Sequence, residues 1–399
     1  MELTFAEQLM LEGGNGRATA KAMEILNALG AIYGADRMVP VSSVQISGVS
    51  FDNLGDAGLD FLAEMAANGG RAQVLTTLNP AGMDIEEPQS LGISADFARN
   101  QQRVIDAFAQ MGVVTTCSCT PYLFGNLPHF GEHIAWAESS AVCYANSVLG
   151  ARTNREGGPS ALASALTGVT PNYGLHLEEN RRPGLTVEIE ADLEGTRDFG
   201  ALGVALGRMI EARKMKAIPY LRGVKSATLD ELKSFCASAA TYGGLALFHM
   251  EGITPECPMF PVPAETLVIG QKDLNAAGAS LENPAAGEVD FVSLGCPHLS
   301  LNEIRRVAEL LEGKHVTKTF WITTARPTRR IADQMGYSRI IEEAGAVFAT
   351  DTCCVVAPIK GRFHTLATDS AKACYYAASK NRFGTLFLPF DEVVQEALR

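Results

Sequence analysis

The chain has 399 residues, of which 47% are hydrophobic and 20% are charged. This composition is typical of a soluble globular protein with two or three domains. It excludes a disordered chain, which would contain far fewer apolar residues. The 33 basic and 45 acidic residues give a net charge of −12. An acidic chain without a basic stripe is not expected to bind nucleic acid or an anionic membrane.

Nine cysteines are present, an odd number that cannot all pair within one chain. The first eight residues contain two acids and no apolar signal core, unlike a secretory signal. No run in the sequence approaches the ~18 apolar residues of a membrane-spanning helix. We therefore expect a cytoplasmic protein without a membrane segment. Its cysteines are then thiols, metal ligands or nucleophiles rather than disulfides.

Helical patterns open the chain, and strands and helices alternate after them. Thr4 begins a capping-box pattern, and apolar residues in 17–29 recur at helical spacing before Gly30. Further capping boxes at Thr228 and Ser300 predict two more helices. Short apolar runs predict strands at 38–46, 72–78, 113–116, 217–221, 245–249, 289–295, 319–323, 346–350 and 384–388. The alternation indicates α/β domains with mostly parallel sheets.

Reactive residue types follow several of these strands directly. Cys119, Cys296 and Cys353 each come shortly after a predicted strand, and His249 and Glu251 lie at the end of another. In open α/β sheets, ligands bind beyond the carboxyl ends of the strands. The repeated arrival of cysteine, histidine and acidic residues at these ends therefore suggests one shared site.

The three strand-end cysteines allow two kinds of chemistry. Three thiolates that converge from three loops suit a metal or an iron–sulfur site. The alternative is a catalytic thiol activated by a histidine such as His298. The cysteines that lie among small and apolar residues in helical stretches are expected to be core residues; these are Cys143, Cys236 and Cys374.

A polar block at 138–160 is a second candidate site. It contains Arg152 and Arg155 shortly before a pair of glycines. Arginine donates in a fork to carboxylate or phosphate, and glycine lets the backbone approach an anion. A solvated surface loop explains the block equally well. Lys372 is a weaker candidate for an anion site. Possible subdomain boundaries lie near 150–184 and 254–263.

With these residues in view, the chain resembles the aconitase X family in its catalytic, large-subunit form. The resemblance extends over essentially the whole chain, 1–399, and its central block is highly specific. The stretches that carry it are CTPY at 119–122, the block at 135–162, YGLH at 173–176, HMEGITPE at 249–256, LGCPHLS at 294–300, DTC at 351–353 and DSAKACYY at 369–376.

The resemblance implies an aconitase-like fold, with α/β domains around a central iron–sulfur site, and the activity of a hydro-lyase. Family members eliminate water from mevalonate 5-phosphate or from cis-3-hydroxy-L-proline. The implied cluster ligands are Cys119, Cys296 and Cys353, and Cys354 is the alternative to Cys353. A 4Fe-4S cluster is the first expectation and 2Fe-2S the second. A cluster with three protein thiolates leaves an iron open, which can bind the leaving hydroxyl as a Lewis acid.

The resemblance also implies roles for polar residues and a partner. Substrate binding is expected from arginine, serine and amide side chains and from one lysine: Arg152, Arg155, Ser139, Ser140, Asn146, Asn154 and Lys372. Auxiliary acid–base or supporting roles are expected for His298, His249 and Glu251. The base is expected to be a serine on a swivelling domain. We expect that domain to be absent from this chain, so a small subunit is expected to supply it and to close the site.

Two other hypotheses remain open at this stage. One is an enzyme that uses Cys296 or Cys119 as a nucleophile, and the other is an iron-responsive binding protein without turnover. A brown anaerobic preparation that needs three cysteines favours the hydro-lyase. A colourless protein inactivated by alkylation of one thiol favours the nucleophile, and binding without turnover favours the third hypothesis.

Overall fold

The computed structural model describes residues 1–214, 217–283 and 288–399. Its strands form three parallel sheets and one antiparallel pair, with helices between them along the chain. The predicted α/β class with mostly parallel sheets is therefore confirmed. Within these ranges, no helix is long and apolar enough to cross a membrane.

The first part of the chain, 1–182, forms a three-stranded parallel sheet and a separate antiparallel pair. Its strands are β1 (Met38–Pro40), β2 (Ser43–Ile46), β3 (Leu75–Leu78), β4 (Ala135–Trp136) and β5 (Val169–Pro171). The parallel sheet has the order β3-β2-β4, and β1 pairs with β5. Its helices are α1 (Phe5–Leu11), α2 (Arg17–Tyr33), α3 (Phe51–Ala67), α4 (Ala95–Gln110), α5 (Ser139–Tyr144) and α6 (Gly158–Thr167).

The second part, 183–283, forms a four-stranded parallel sheet with helices after its strands. The strands are β6 (Pro183–Ile189), β7 (Ile218–Arg222), β8 (His249–Met250) and β9 (Thr266–Ile269), in the order β8-β7-β6-β9. The helices are α7 (Gly195–Ala212), α8 (Leu229–Gly243) and α9 (Gln271–Ala279).

The third part, 288–399, forms a five-stranded parallel sheet. Its strands are β10 (Phe291–Leu294), β11 (Thr319–Thr324), β12 (Val347–Thr350), β13 (Thr365–Thr368) and β14 (Gly384–Phe387), in the order β12-β11-β10-β13-β14. Its helices are α10 (Leu301–Leu311), α11 (Arg326–Gln334), α12 (Tyr337–Glu343), α13 (Ala371–Tyr376) and α14 (Phe390–Leu398).

The predicted helix starts are confirmed, and one predicted helix end is wrong. Thr4, Thr228 and Ser300 form the capping boxes of α1, α8 and α10. The helix predicted to stop at Gly30 continues, because the residue that ends α2 is Gly34. Its φ of 72° is the left-handed conformation that glycine adopts without strain at a helix end.

Most predicted strands overlap a strand of the structure, but their predicted ends often differ from the observed ends. The run 38–46 is two strands in two different sheets, because Val41 turns away to donate its N–H to Gly168. The run 113–116 makes only a parallel bridge at Val114. Five strands, β4, β5, β6, β9 and β13, were not predicted. Of these, β6 begins with Pro183-Gly184, a dipeptide typical of turns.

Candidate active site

The reactive side chains follow the carboxyl ends of strands in the first and third sheets. In the third sheet, β10 ends shortly before Cys296, β12 before Cys353, and β13 before Lys372. In the first part, Val114 bridges in parallel to β3, and the chain then continues to Cys119. Both sets of loops therefore leave their sheets at the edge where α/β proteins bind ligands.

The three predicted ligand thiols lie near enough to affect one another. Burial raises the pKa of Cys119, Cys296 and Cys353, and the charge of Cys353 raises the pKa of the other two further. Cys119 and Cys353 are buried, whereas Cys296 is partly exposed. Among the described residues, no group of three histidine, cysteine or acidic side chains is arranged to hold a metal ion directly. The structure thus brings the three thiols together, without the spacing of a single-ion site.

The neighbouring cysteines face other surroundings. Cys354 is hydrogen-bonded to Ser293 of β10, and burial raises the pKa of its thiol. Cys117 lies beside Asp351 rather than among the three thiols, and burial raises its pKa as well. Of the adjacent pair, Cys353 is the one that interacts with Cys119. Both Cys353 and Cys354 raise the pKa of Cys296, so the interaction with Cys119 is what distinguishes Cys353, and its role as the third ligand stays a prediction.

A buried ion pair joins the first and third parts beside these thiols. Lys372 Nζ donates to Glu138 Oε1 at 2.5 Å, and the two side chains are 11% and 5% exposed. Burial opposes both charges, yet each partner outweighs it: the pKa of Lys372 is raised and that of Glu138 is lowered. The thiols of Cys296 and Cys119 also raise the pKa of Lys372. A fixed cation therefore stands next to the thiols.

The predicted serines lie on the first turn of α5, next to this ion pair. Ser140 Oγ donates to Glu138 Oε2, which also accepts the backbone N–H of Ala141 at 2.7 Å. Ser139 is only partly buried. Ser140 thus supports the carboxylate of Glu138, and Ser139 is the serine that solvent can reach.

His298 lies fully buried among the cysteine loops. Its Nδ1 is 3.0 Å from Ser118 Oγ and its Nε2 is 2.9 Å from the carbonyl oxygen of Thr352. Burial lowers the pKa of His298 to about 4, so the ring is neutral near pH 7. Both ring nitrogens of His298 thus have protein partners, and its acid–base role stays a prediction.

The amide and arginine side chains of the polar block have backbone partners. They donate to carbonyl oxygens: Asn146 to those of Thr153 and Ala246, Asn154 to that of Tyr173, and Arg155 to that of Gly244. Arg152 lies 3.7 Å from Glu178 and donates to the carbonyl of His176. The glycine pair begins α6. These side chains connect loops, and their part in substrate binding stays a prediction.

His249 and Glu251 lie in the second part of the chain, and each has a different partner. His249 Nε2 donates to the carbonyl of Arg181 at 2.8 Å, and burial lowers its pKa. Arg181 is itself buried and paired with Glu256 at 2.8 Å. Glu251 pairs with Arg222 at the surface. The structure gives both residues structural partners and leaves their catalytic roles as predictions.

Three residues of the site escaped the sequence analysis. Glu138 carries the same strand-end signal as the cysteines, but β4 has only two residues and was not predicted. Ser118 offers no signal beyond its place between two cysteines. Lys233 sits in an amphipathic helix where a charge suggests a solvated face, yet it is only 3% exposed. Its partners, Asp230 and Glu303, are visible only in the structure.

Comparison with known proteins matches three family models along the chain. "Aconitase X first domain" matches residues 1–179, "Aconitase X second domain" 183–278, and "Aconitase X third domain" 289–399. A solved structure with a similar fold is the crystal structure of Thermococcus kodakaraensis aconitase X in its holo-form. It has a TM-score of 0.92 and 42% identity, and the match covers 100% of both chains.

Curated relatives carry two names. The phosphomevalonate dehydratase large subunit of Methanothermobacter thermautotrophicus is 46% identical, over 93% of this chain and 92% of the relative. The protein of the same name from Methanocaldococcus jannaschii is 44% identical, over 99% and 100%. The cis-3-hydroxy-L-proline dehydratase of Pseudomonas aeruginosa is 33% identical, over 93% of this chain and 65% of the relative. The resemblance drawn from the motifs is confirmed: the chain belongs to the aconitase X family.

Proposed function

We propose that the chain is the large, catalytic subunit of a hydro-lyase that eliminates water from mevalonate 5-phosphate. The observation that carries the proposal is the meeting of Cys119, Cys296 and Cys353 beside the Lys372 ammonium. The substrate follows from the relatives. Four phosphomevalonate dehydratase large subunits match this chain at 44–46% identity and a fifth at 35%, each over at least 92% of its length. The cis-3-hydroxy-L-proline dehydratases are less similar and longer.

An iron–sulfur cluster fits the donor set. Thiolates are the ligands of such clusters, and the aconitase superfamily to which this family is related uses them. The ligands of such a cluster would not need the spacing of a single-ion site. Three ligands suit a 4Fe-4S cluster with one open iron, and 2Fe-2S is the alternative. The buried thiols would be deprotonated by the metal, and Lys372 would offset part of the resulting charge.

The chain's own residues would prepare the site for an anionic substrate. When bound, the cluster supplies a Lewis-acidic iron for the substrate hydroxyl. An ammonium has three N–H donors, and in the described part of the chain Glu138 Oε1 is the hydrogen-bond acceptor of Lys372. Its other donors can therefore reach a carboxylate or phosphate. Ser139, partly exposed on the first turn of α5, would donate a further hydrogen bond.

A cysteine nucleophile is less well supported. Reactive thiols have a lowered pKa, whereas burial raises the pKa of Cys119 and Cys296. The histidine that would act as their base, His298, has both ring nitrogens in hydrogen bonds. Binding of iron without turnover remains an outcome that the experiment below distinguishes.

We infer that a small subunit completes the active site. Curated relatives at 44–46% identity are named large subunits, which implies a second subunit in those enzymes. This chain spans only 65% of the cis-3-hydroxy-L-proline dehydratases, whose longer chains leave room for an additional domain. Elimination needs a base for the proton next to the carboxylate. We propose that a serine on the swivelling domain of the small subunit supplies it.

The test is an assay of the anaerobically reconstituted chain, alone and with a co-expressed small subunit. Mevalonate 5-phosphate and cis-3-hydroxy-L-proline are assayed side by side for loss of water. We expect turnover of the first substrate only, and only with both subunits present. Turnover of cis-3-hydroxy-L-proline alone would move the assignment to that substrate. A complex that holds iron and dehydrates neither compound would contradict the proposed activity.

A further inference from the structure

We propose that His298 is a positioning residue, which holds the three cysteine loops in register for the iron–sulfur cluster and exchanges no proton with the substrate. The inference rests on the proposed function, because it takes the three thiols as cluster ligands. It arises from the contacts of one side chain and its backbone with all three loops.

His298 belongs to one cysteine loop and contacts the second. It follows Cys296 by two residues, so its backbone moves with that ligand. Its own N–H donates to Cys119 Sγ at 3.3 Å, and its Nδ1 lies 3.0 Å from the hydroxyl of Ser118. These two contacts join the first part of the chain to the third part at Cys119 and at Ser118, the residue before it. Cys119 and His298 are 179 positions apart in sequence.

The third loop is held through the other ring nitrogen. Nε2 lies 2.9 Å from the carbonyl oxygen of Thr352, the residue directly before Cys353. A carbonyl only accepts, so Nε2 carries the proton and donates it. In a neutral ring Nδ1 then accepts, and the Ser118 hydroxyl is its donor. Ser118 Oγ in turn accepts the N–H of Thr120 at 3.2 Å. Each group in this series of hydrogen bonds is therefore assigned as a donor or an acceptor.

The backbone of His298 is also anchored to the second part. Lys233 Nζ donates to its carbonyl oxygen at 3.1 Å. Lys233 is buried in α8 and ion-paired with Glu303 and Asp230. The imidazole is fully buried, so its ring nitrogens face protein atoms on both sides. Partners of this kind fix the orientation of metal ligands, and their loss costs about 10–100-fold in metal affinity.

Two substitutions separate the contacts of the ring. His298→Gln can place an amide N–H where Nε2–H lies, and so retains the bond to Thr352. His298→Asn places its shorter amide near the position of Nδ1, and so loses that bond. Ser118→Ala removes the hydroxyl partner alone. His176→Gln is the matched control, because it changes another buried histidine that is hydrogen-bonded to His133 instead.

The measurements are iron and sulfide per chain, the electron paramagnetic resonance spectrum of the reduced cluster, and the rate at which a chelator removes iron. All use the complex with its small subunit. We expect His298→Asn to lose iron about 10-fold faster or more than wild type, with an altered spectrum. His298→Gln should restore both properties to nearly wild-type values. Ser118→Ala should lie between them, and His176→Gln should match wild type.

Three results would overturn the inference. Asparagine and glutamine variants that keep wild-type iron retention and spectrum, but lose turnover, would make His298 a proton donor or acceptor. Equal iron loss in both variants would show that retaining the bond to Thr352 does not matter. If the asparagine variant does not fold, wild-type iron retention in Ser118→Ala would also contradict the positioning role of His298. Wild-type protein that takes up no iron would instead contradict the proposed cluster.

Discussion

At the scale of single residues, the nine cysteines differ in what surrounds each sulfur. Cys353 raises the pKa of Cys119 and of Cys296, and all three thiols lie near the Lys372 ammonium. Cys143 and Cys236 instead hydrogen-bond to each other within the core. Apolar neighbours do not stabilise a thiolate, whereas a nearby cation does, so the three thiols beside Lys372 are the better metal ligands.

This division predicts the result of serine substitutions. Cys119→Ser, Cys296→Ser and Cys353→Ser should each lower the iron content after anaerobic reconstitution to a small fraction of the wild-type value, because the hydroxyl is a poor substitute for a soft thiolate ligand. Cys117→Ser and Cys354→Ser are the controls and should retain iron. Iron analysis of the purified chains checks the prediction. Loss of iron in Cys354→Ser but not in Cys353→Ser would exchange the two assignments.

A second prediction concerns His176 and acid. Burial lowers its pKa to about 3 in the folded chain, while an unfolded histidine titrates near 6.5. Between these values the unfolded chain binds the extra proton, so stability is present above pH ~6.5 and is lost as the pH falls. The loss is about 1.4 kcal/mol per pH unit for this one group.

The variant His176→Gln removes that dependence. Urea unfolding of wild type and variant at pH 6.5, 5.5 and 4.5 should give free energies whose pH slope is shallower in the variant by about 1.4 kcal/mol per unit. His298 and His249 also have lowered pKa values, so the variant keeps part of the slope. Identical slopes in the two proteins would show that His176 is not buried as a neutral ring.

The strand ends that carry the thiols could be predicted from the sequence, whereas the hydrogen-bond partners of the polar block could not. Cys119, Cys296 and Cys353 follow strands, and the direction of a parallel strand fixes the edge at which its next residue emerges. Arg155 and Asn154 carry donors whose partners are backbone carbonyls of distant residues. No local pattern shows whether an arginine is already engaged in this way.

At the scale of elements, the packing of α7 on α8 depends on glycines that permit close approach of the two helices. A Cβ on Gly207 would lie 2.6 Å from the backbone nitrogen of Gly243, and one on Gly203 would lie 2.7 Å from that of Ala239. Backbone atoms cannot rotate away as a side chain can. The two helices are therefore in backbone contact along this line.

Gly207→Ala tests this contact. An alanine inside a helix would otherwise stabilise it by about 1 kcal/mol relative to glycine. Here the clash should dominate and lower the free energy of unfolding by about 1–3 kcal/mol. Gly278→Ala in α9 is the control, because its Cβ would meet only the movable guanidinium tip of Arg197 at 3.1 Å. Urea denaturation checks both. A stabilised Gly207→Ala protein would contradict the backbone contact.

Helix starts could be predicted because local sequence patterns determine them. The pairing of strands into sheets could not be predicted, because it depends on residues far apart in the sequence. Capping boxes at Thr228 and Ser300 depend on residues three apart, and both were predicted. The separation of β1 from β2 depends on partners far away: β1 pairs with β5, and β2 with β3 and β4. The sequence of residues 38–46 does not show which sheet each half joins.

At the scale of the whole molecule, the site exists only because the three parts meet. Ala81 N–H donates to the carbonyl of Asp351 at 2.8 Å, which joins the first part to the loop before Cys353. Arg326 pairs with Asp84 at 2.6 Å across the same boundary. The family was predictable, because its motifs are linear stretches. The contacts between parts were not, and the predicted boundaries near 150–184 and 254–263 stay predictions.

The proposed reaction is the dehydration of mevalonate 5-phosphate by this chain and its small subunit, at a site that needs iron. The most direct measurement is the rate of water loss from that substrate by one preparation of the complex as isolated, after removal of iron with a chelator, and after anaerobic reconstitution. We predict that the rate falls in proportion to iron content and returns with it. An unchanged rate in the iron-free complex would contradict the account.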